Sequence, residues 1–195
     1  GEADHLVVPA RLRDAAGVAV FVVPRGGAGL ALRPHRLIDD TPAADLALDV
    51  VAAAPLADPD DAARHDAILR TVEARALASL CADIVGAATA AYEATRAYLP
   101  VRKQFGRPIG DNQALRHRIA DMLVSLEMAR SMAIAAAVAA DRPDDPESIT
   151  DLRRAKLVVG RHARFVCEQA VQCHGGIGMT EEYPVGHALR RIHVR

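Results

Sequence analysis

The chain contains no tryptophan and only three phenylalanines and three tyrosines among its 195 residues. A core with so few large rings must be filled by smaller side chains, and alanine is abundant throughout the sequence. Alanine has the strongest helix propensity and lets helices approach one another closely. The composition therefore predicts a mainly α protein with tightly packed helices.

The sequence also lacks an excess of charge of either sign. It has 24 basic and 25 acidic residues, for a net charge of −1, which argues against nucleic acid as a partner. Its three cysteines, Cys81, Cys167 and Cys173, are an odd number and have no CxxC spacing. We therefore expect no metal site, no disulfide framework and a cytoplasmic protein. Charged residues interrupt the apolar runs, so we expect no membrane span.

The segment 1–58 has the pattern of strands and turns. Valine-rich runs at His5–Ala10 and Gly17–Pro24 are bounded by Gly or Pro, and the run Asp45–Val50 alternates polar and apolar residues. The glycine-rich stretch Arg25–Gly29 is typical of a turn. Four or so strands are too few to cover both faces of a sheet. We therefore expect a partial antiparallel β domain over residues 1–58.

From about residue 60 the apolar period becomes helical, with apolar side chains at steps of three and four residues. Three long series follow this period: Leu69, Val72, Ala76, Leu80, Ile84, Ala87 and Ala91; then Leu115, Ile119, Met122, Leu126, Ala129 and Ala133; then Leu152, Ala155, Val159, Ala163, Val166, Ala170 and Cys173.

Short polar segments separate these series, at Gln104–Asn112 and Asp141–Glu147. Asp145 followed by Pro146 is typical of a helix N-cap and first turn. A fourth helix is expected to begin near Pro184. Long helices with short connections predict a four-helix-bundle-like domain over residues 59–195.

A first motif, RKQFGRPIGDNQ, runs from Arg102 to Gln113 between two predicted helices. The planar guanidinium of Arg102 suits a phosphate or pyrophosphate. Gln113 falls in the first turn of the next helix, where free backbone N–H groups favour anions. Taken alone, the motif is better explained as a helix connection with a surface arginine and Phe105 as an aromatic plug.

A second motif, QCHGGIG, closes the third helical series with Gln172, Gly175 and Gly176. Glycines commonly end helices, and they also let a backbone approach a ligand closely. The dinucleotide fingerprint GxGxxG must follow a strand and open a helix. Because these glycines close a helix, the sequence does not indicate a Rossmann fold.

Two longer stretches, YLPVRKQFGRPIGDNQALRHRIADM and QAVQCHGGIGMTEEYPV, occur in this order. Together they resemble the flavin-binding motifs of the acyl-CoA dehydrogenase family. The resemblance covers nearly the whole chain: the segment before residue 60 resembles the second half of the family's middle β domain, and the rest resembles its C-terminal helical domain. The segment YPVGHALRR departs from the family pattern and resembles bacterial pimeloyl-CoA-type small subunits.

The resemblance implies FAD-dependent α,β-dehydrogenation of an acyl-CoA thioester, with an electron-transfer flavoprotein or similar electron acceptor. It also implies a homo- or hetero-oligomer with FAD lying across a subunit interface. By resemblance, one FAD would contact Arg102, Gln104, Phe105 and Gln113, and the FAD of a neighbouring subunit would contact Gln172, Gly175 and Gly176. Two long antiparallel helices leave open that both motifs meet one FAD within one chain.

No catalytic residue is identified in this sequence. The family's catalytic carboxylate would follow the YPVGHALRR segment beyond Arg195, and its alternative position on the first helix is Ala76, with Glu73 one turn away. We therefore expect the 195 residues alone to be inactive. The alternatives are a non-catalytic partner subunit that completes the FAD site of a heteromeric enzyme, and a structural bundle without cofactor. For His174 we expect a structural hydrogen bond.

Overall fold

The computed structural model describes residues 3–13 and 17–195. The chain divides into two compact units, Gly1–Val72 and Glu73–Arg195, so the division falls inside the first long helix. The mainly α class with small antiparallel sheets is confirmed. The assignment of 1–58 and 59–195 to two family domains stays a prediction, and residues 1, 2 and 14–16 lie outside the described residues.

The first unit contains two small antiparallel sheets. Strands β1 (His5–Arg11), β2 (Val18–Pro24) and β5 (Ala54–Pro55) form one sheet in the order β1–β2–β5. Strands β3 (Leu30–Arg36) and β4 (Pro42–Leu48) form a separate hairpin. The valine-rich runs favour buried strands at both β1 and β2. Strand β2 is the most buried and is paired on both of its edges, whereas β1 is mostly exposed.

The sequence pattern missed β3 and placed β4 too late. Strand β3 reads LALRPHR, and Pro34 together with three basic side chains hides the alternation that marks a half-buried strand. Its register with β4, from Leu30 opposite Leu48 to Arg36 opposite Pro42, shows a regular hairpin all the same.

His65 anchors the first unit. The ring is fully buried, its Nδ1 accepts a hydrogen bond from the Val20 backbone N–H at 3.2 Å, and its Nε2 donates to the Asp58 carbonyl at 3.0 Å. Both ring nitrogens are therefore satisfied by one neutral tautomer. No sequence pattern singled this histidine out.

Four α-helices follow: α1 (Ala62–Tyr98), α2 (Gln113–Ala140), α3 (Pro146–His174) and α4 (Pro184–Val194). A two-residue-per-strand hairpin, β6 (Lys103–Gln104) and β7 (Arg107–Pro108), connects α1 to α2. Helix α3 is central to the second unit, because it packs along α2 and also contacts α4.

The buried face of α3 is the one that the sequence predicted. All seven residues of the third apolar series are buried, from Leu152 to Cys173. Asp145 is the N-cap and accepts a hydrogen bond from the Glu147 backbone N–H at 3.0 Å, with Pro146 in the first turn. Four of the seven buried residues are small, namely three alanines and a cysteine, so neighbouring helices can approach this face closely.

The predicted face of α1 is only partly correct. Ile84 and Ala91 are buried as expected, but Val72 is 58% exposed and Ala76 is also exposed. The buried positions in the same helix include Ala74, Cys81 and Ala88. Because alanine occurs on every side of α1, hydropathy alone does not distinguish its buried face from its exposed one.

Helix α4 is held against α1 by charge. The Asp83 carboxylate accepts hydrogen bonds from Arg191 at 2.7 Å and from Arg195 at 2.8 Å. Partial burial is the largest single influence on the pKa of Asp83 and raises it. The hydrogen bonds and charges of Arg191 and Arg195 together outweigh burial, so the pKa is lowered. Arg191, in the segment YPVGHALRR, therefore ties the two helices together.

Helices α1 and α2 are long and apolar enough, by length and composition alone, to cross a membrane. Core helices of globular proteins meet the same criterion, and both helices contribute buried residues to the hydrophobic core of the bundle. The expectation that the chain has no membrane span stays a prediction.

The buried face of α3 gives a test of the bundle. Replacing Leu152, which is fully buried, with alanine should lower the free energy of unfolding by about 2–5 kcal/mol through lost burial and a residual cavity. Leu157 lies on the same helix and is 65% exposed, so its replacement by alanine should change stability by less than about 0.5 kcal/mol. Urea unfolding measures both, and equal losses would contradict this packing.

Candidate functional site

A cavity of the second unit lies where the helix ends meet. Its volume is about 730 Å³, within the range of small-molecule sites. Its walls come from the end of α1, the β6–β7 hairpin, the start of α2 and the end of α3, with these residues: Tyr98, Arg102, Gln104, Phe105, Ile109, Asn112, Leu115, Gln172, Cys173, His174, Gly175, Gly176 and Ile177. Both sequence motifs therefore line one cavity of one chain.

The β6–β7 hairpin presents the first motif to this cavity. Backbone hydrogen bonds join Ile109 to the Arg102 carbonyl at 2.8 Å and Gly110 to the Leu99 carbonyl at 2.9 Å, and they hold the hairpin against the end of α1. Phe105 occupies the turn with φ of 53° and is 99% exposed. It is therefore not the aromatic plug that a simple helix connection would require.

Arg102 brings positive charge to the cavity. Its side chain is exposed, and within the described part of the chain no carboxylate pairs with its guanidinium. The N-cap of α2, Asn112, makes no capping hydrogen bond with its side chain to the first turn of that helix. An unpaired guanidinium beside an uncapped helix N-terminus favours an anion.

The second motif forms the opposite wall. Helix α3 ends at His174, and Gly175 follows with φ of 65° and ψ of −142°, a conformation that is essentially restricted to glycine. A Cβ atom added at Gly175 or at Gly176 would meet nothing within 4 Å. The space in front of these two residues is therefore open to a ligand.

Three rings from three helix ends meet beside the glycines. His174 stacks on Tyr98 with centroids 4.3 Å apart and an interplanar angle of 27°, and it lies 4.7 Å from the ring of Tyr183. Tyr98 is the last residue of α1, and Tyr183 is the N-cap of α4. The cluster joins the ends of α1, α3 and the start of α4 at the cavity.

The His174 ring has one satisfied nitrogen. Nδ1 lies 2.7 Å from the Ala170 carbonyl, which is the structural hydrogen bond expected from the sequence. Nε2 is buried and has no hydrogen-bond partner among the residues that the structure describes. Burial lowers the pKa of His174, and the bond to Ala170 opposes this shift, so the net direction favours the neutral ring.

Six of the seven predicted cofactor-binding residues line this cavity: Arg102, Gln104, Phe105, Gln172, Gly175 and Gly176. The seventh, Gln113, is exposed at the start of α2, and its side-chain Nε2 lies 3.5 Å from Nε2 of His117. Seven lining residues were not assigned to the site from the sequence, and the polar or aromatic ones among them are Tyr98, Asn112 and His174. Asn112 and His174 lie inside the two motifs and Tyr98 lies just before the first, so position within the motifs is the signal that could have indicated them.

The meeting of the two motifs follows from helix length. Helices α2 and α3 have 28 and 29 residues, and a short connection joins them, so the chain returns to its starting point. A hydrogen bond from Arg118 to Gln169 at 2.5 Å joins the start of α2 to the end of α3. The geometry therefore brings both motifs to one cavity, whereas the resemblance had assigned them to two flavins.

No acidic side chain lines the cavity. Glu73, the weak candidate for a catalytic base, accepts hydrogen bonds from Arg153 of α3 at 2.6 and 2.8 Å. Among residues 3–13 and 17–195, no cluster of His, Cys, Asp or Glu side chains is arranged to hold a metal ion. The arrangement can bind an anionic ligand, but it has no carboxylate to remove a proton from one.

Sequence comparison agrees with this geometry. The family described as "Acyl-CoA dehydrogenase, C-terminal domain" matches residues 70–195. The chain belongs to the acyl-CoA dehydrogenase family. A probable acyl-CoA dehydrogenase of Bacillus subtilis, YngJ, is 42% identical over 114 residues, which cover 57% of this chain and 29% of that protein. Acyl-CoA dehydrogenase IpdE2 of Mycolicibacterium smegmatis is 39% identical over 58% of this chain and 34% of its own length.

Solved structures of the family have the same fold. A glutaryl-coenzyme A dehydrogenase in complex with glutaryl-CoA matches 98% of this chain and 50% of its own, with a TM-score of 0.85 and 32% identity. The ChsE4–ChsE5 complex of Mycobacterium tuberculosis matches 97% of this chain and 50% of its own, with a TM-score of 0.79 and 26% identity. The chain thus spans about a third of these curated acyl-CoA dehydrogenases and half of the solved chains.

The glycine wall can be tested by a matched pair of substitutions. Gly175→Ala should destabilise the protein by about 1–3 kcal/mol, because alanine rarely adopts the φ and ψ of this residue. Gly176 has no positive φ, so Gly176→Ala should range from neutral to about 1 kcal/mol stabilising. Thermal and urea unfolding measure the difference, and an equal loss in both variants would contradict the described turn.

Proposed function

We propose that the chain forms the part of an FAD-dependent acyl-CoA dehydrogenase that binds the phosphate-bearing, adenosine half of FAD. The observation that carries this proposal is the single cavity lined by Arg102, Gln172, Gly175 and Gly176. The cofactor supplies the two-electron acceptor for α,β-dehydrogenation of an acyl-CoA thioester. An electron-transfer flavoprotein or a similar protein then receives the electrons, and the enzyme works in the cytoplasm.

The residues present fit a dinucleotide pyrophosphate. Arg102 offers a planar pair of N–H donors without a competing carboxylate, and the cavity has no negative charge to repel phosphate. The absence of Cβ atoms at the glycines opens the opposite wall to a flat or extended ligand. These residues bind and orient the cofactor, and none of them has a role in proton abstraction.

The proposal has a second form, in which the chain is a non-catalytic partner subunit of a heteromeric acyl-CoA dehydrogenase. One structural observation favours it, because Glu73 is engaged by Arg153. The resemblance adds that Ala76 would stand at the family's alternative base position. The similar ChsE4–ChsE5 structure contains two different polypeptides. Co-purification from the source organism, followed by turnover with a panel of acyl-CoAs, separates the forms, because only the second requires a different polypeptide for turnover.

Arg102→Ala should weaken FAD binding about 10- to 100-fold, since it removes charge-assisted hydrogen bonds worth roughly 1.5–3 kcal/mol. Arg102→Lys should restore only part of the affinity, because lysine lacks the planar fork. Equilibrium titration of the protein with FAD, followed by flavin fluorescence, measures both effects.

The matched control is Arg96→Ala. Arg96 is an exposed arginine near the end of α1 that pairs with Glu93 and does not line the cavity. Its replacement should leave FAD affinity unchanged. Equal affinity of wild-type protein and Arg102→Ala would refute the phosphate-binding role of the cavity.

Mixing two defective variants tests whether the motifs serve one cofactor. In an oligomer, we combine Arg102→Ala with Gly176→Phe, each of which should bind FAD poorly alone. If both motifs of one chain contact one FAD, every cavity in the mixture carries one lesion, so mixing should restore no binding. If the motifs of one chain served two flavins, mixed oligomers would contain some intact sites.

The readout is the amount of flavin bound after subunit exchange. Co-purification of differently tagged subunits demonstrates that the exchange has taken place. Recovery of flavin binding in exchanged oligomers would show that each FAD contacts the two motifs of different chains. That result would overturn the one-chain arrangement while leaving FAD as the ligand.

A further inference from the structure

One buried polar atom at the cavity has no partner. His174 is only 6% exposed, it lines the cavity, and its Nε2 makes no hydrogen bond to any described residue. Leaving a buried polar atom unpaired costs roughly 1–3 kcal/mol. Such atoms in folded proteins call for an explanation, and a ligand that supplies the missing partner is one.

The bond to Ala170 determines what kind of partner Nε2 requires. A backbone carbonyl can only accept, so Nδ1 carries the proton and donates to the Ala170 carbonyl at 2.7 Å. In the neutral ring, which burial between Tyr98 and Tyr183 favours, Nε2 then carries a lone pair and acts as an acceptor. It pairs with a hydroxyl or amino group and repels a phosphate oxygen.

The cavity thus has two different recognition elements. Arg102 on the hairpin wall offers donors and positive charge, and His174 on the helix wall offers an acceptor. A ligand that satisfies both carries an anionic group together with a neutral hydroxyl or amine. A nucleoside diphosphate has both features on separate groups, whereas inorganic phosphate carries its O–H groups on the anion itself and a fatty acyl chain has no donor.

We propose that His174 is a positioning residue for the cofactor: its Nε2 accepts a hydrogen bond from a hydroxyl or amino group of the adenosine half of FAD. This inference rests on the proposed function, since it takes FAD as the ligand. The stack on Tyr98 and the bond to Ala170 fix the ring, so that Nε2 is held in place before the ligand binds. The hydrogen bond to Nε2 requires a ligand with a hydroxyl or amino donor, whatever the ligand's charge.

Two substitutions separate the two ring nitrogens. His174→Asn keeps a donor near the position of Nδ1 and removes Nε2, whereas His174→Gln places an amide oxygen near the position of Nε2. We expect His174→Asn to raise the dissociation constant for FAD about tenfold and His174→Gln to raise it less than about threefold. Thermal unfolding of both variants without FAD shows whether a change in folding accounts for any loss.

Nitrogen NMR of the wild-type protein with ¹⁵N-labelled histidine gives a readout that needs no variant. Before FAD is added, the His174 signals should show a protonated Nδ1 and an unprotonated Nε2. Adding FAD should shift the Nε2 resonance in the direction of an accepted hydrogen bond and leave Nδ1 nearly unchanged. His65, whose ring nitrogens both have protein partners, is the internal control and should not move.

The outcomes distinguish this inference from the function on which it rests. If FAD binds, Arg102→Ala weakens it, and neither His174→Asn nor the Nε2 resonance responds, the proposed function stands and the role of His174 is refuted, with water as the partner of Nε2. If FAD does not bind to wild-type protein at all, both proposals fail. Equal losses of affinity in His174→Asn and His174→Gln would also overturn the assignment to Nε2.

Discussion

The contact of His174 with Tyr98 and Tyr183 is the interaction on which the cavity depends. These rings lie at the end of α3, the end of α1 and the start of α4, so their packing places three helix ends at one point. The chain has only six Phe and Tyr residues in all, and two of them are used here. Elsewhere the core of the helices consists mainly of alanine and aliphatic side chains, with Tyr92 as its buried ring.

The core of α3 could be predicted from the sequence because its two faces differ sharply. Charged residues such as Arg153, Arg154 and Glu168 occupy the exposed face, and every residue of the predicted apolar series is buried. In α1 the same reasoning failed at Val72 and Ala76, since an alanine-rich helix has little contrast between faces. Strand β3 was not predicted because its basic side chains and Pro34 hide the apolar alternation of a strand. Such residues are tolerated in β3 because neither of its faces is deeply buried.

The candidate site, too, could be predicted from the sequence only in part. The resemblance of the two motifs to the family's flavin-binding motifs nominated six residues that line the cavity, whereas their residue types alone did not decide between a binding site and a helix connection. Their spacing could not show whether they meet. That depends on the nearly equal lengths of α2 and α3, which the sequence leaves uncertain by several residues at each helix end. Gln113 illustrates the limit: it lies in the predicted first turn of α2 but outside the cavity.

The charged side chains at the cavity suit the binding of an anion but not the removal of a proton. Arg102 has no carboxylate beside it in the cavity, so its charge remains available for a ligand. A carboxylate close enough to remove a proton from a substrate here would also pair with Arg102 and compete with phosphate. Glu73 is engaged by Arg153 on a different part of α3, and Asp83 is engaged by Arg191 and Arg195. A wall without acids is therefore what the proposed pyrophosphate site requires, and in the proposed dehydrogenation the group that removes the substrate proton would come from outside this cavity.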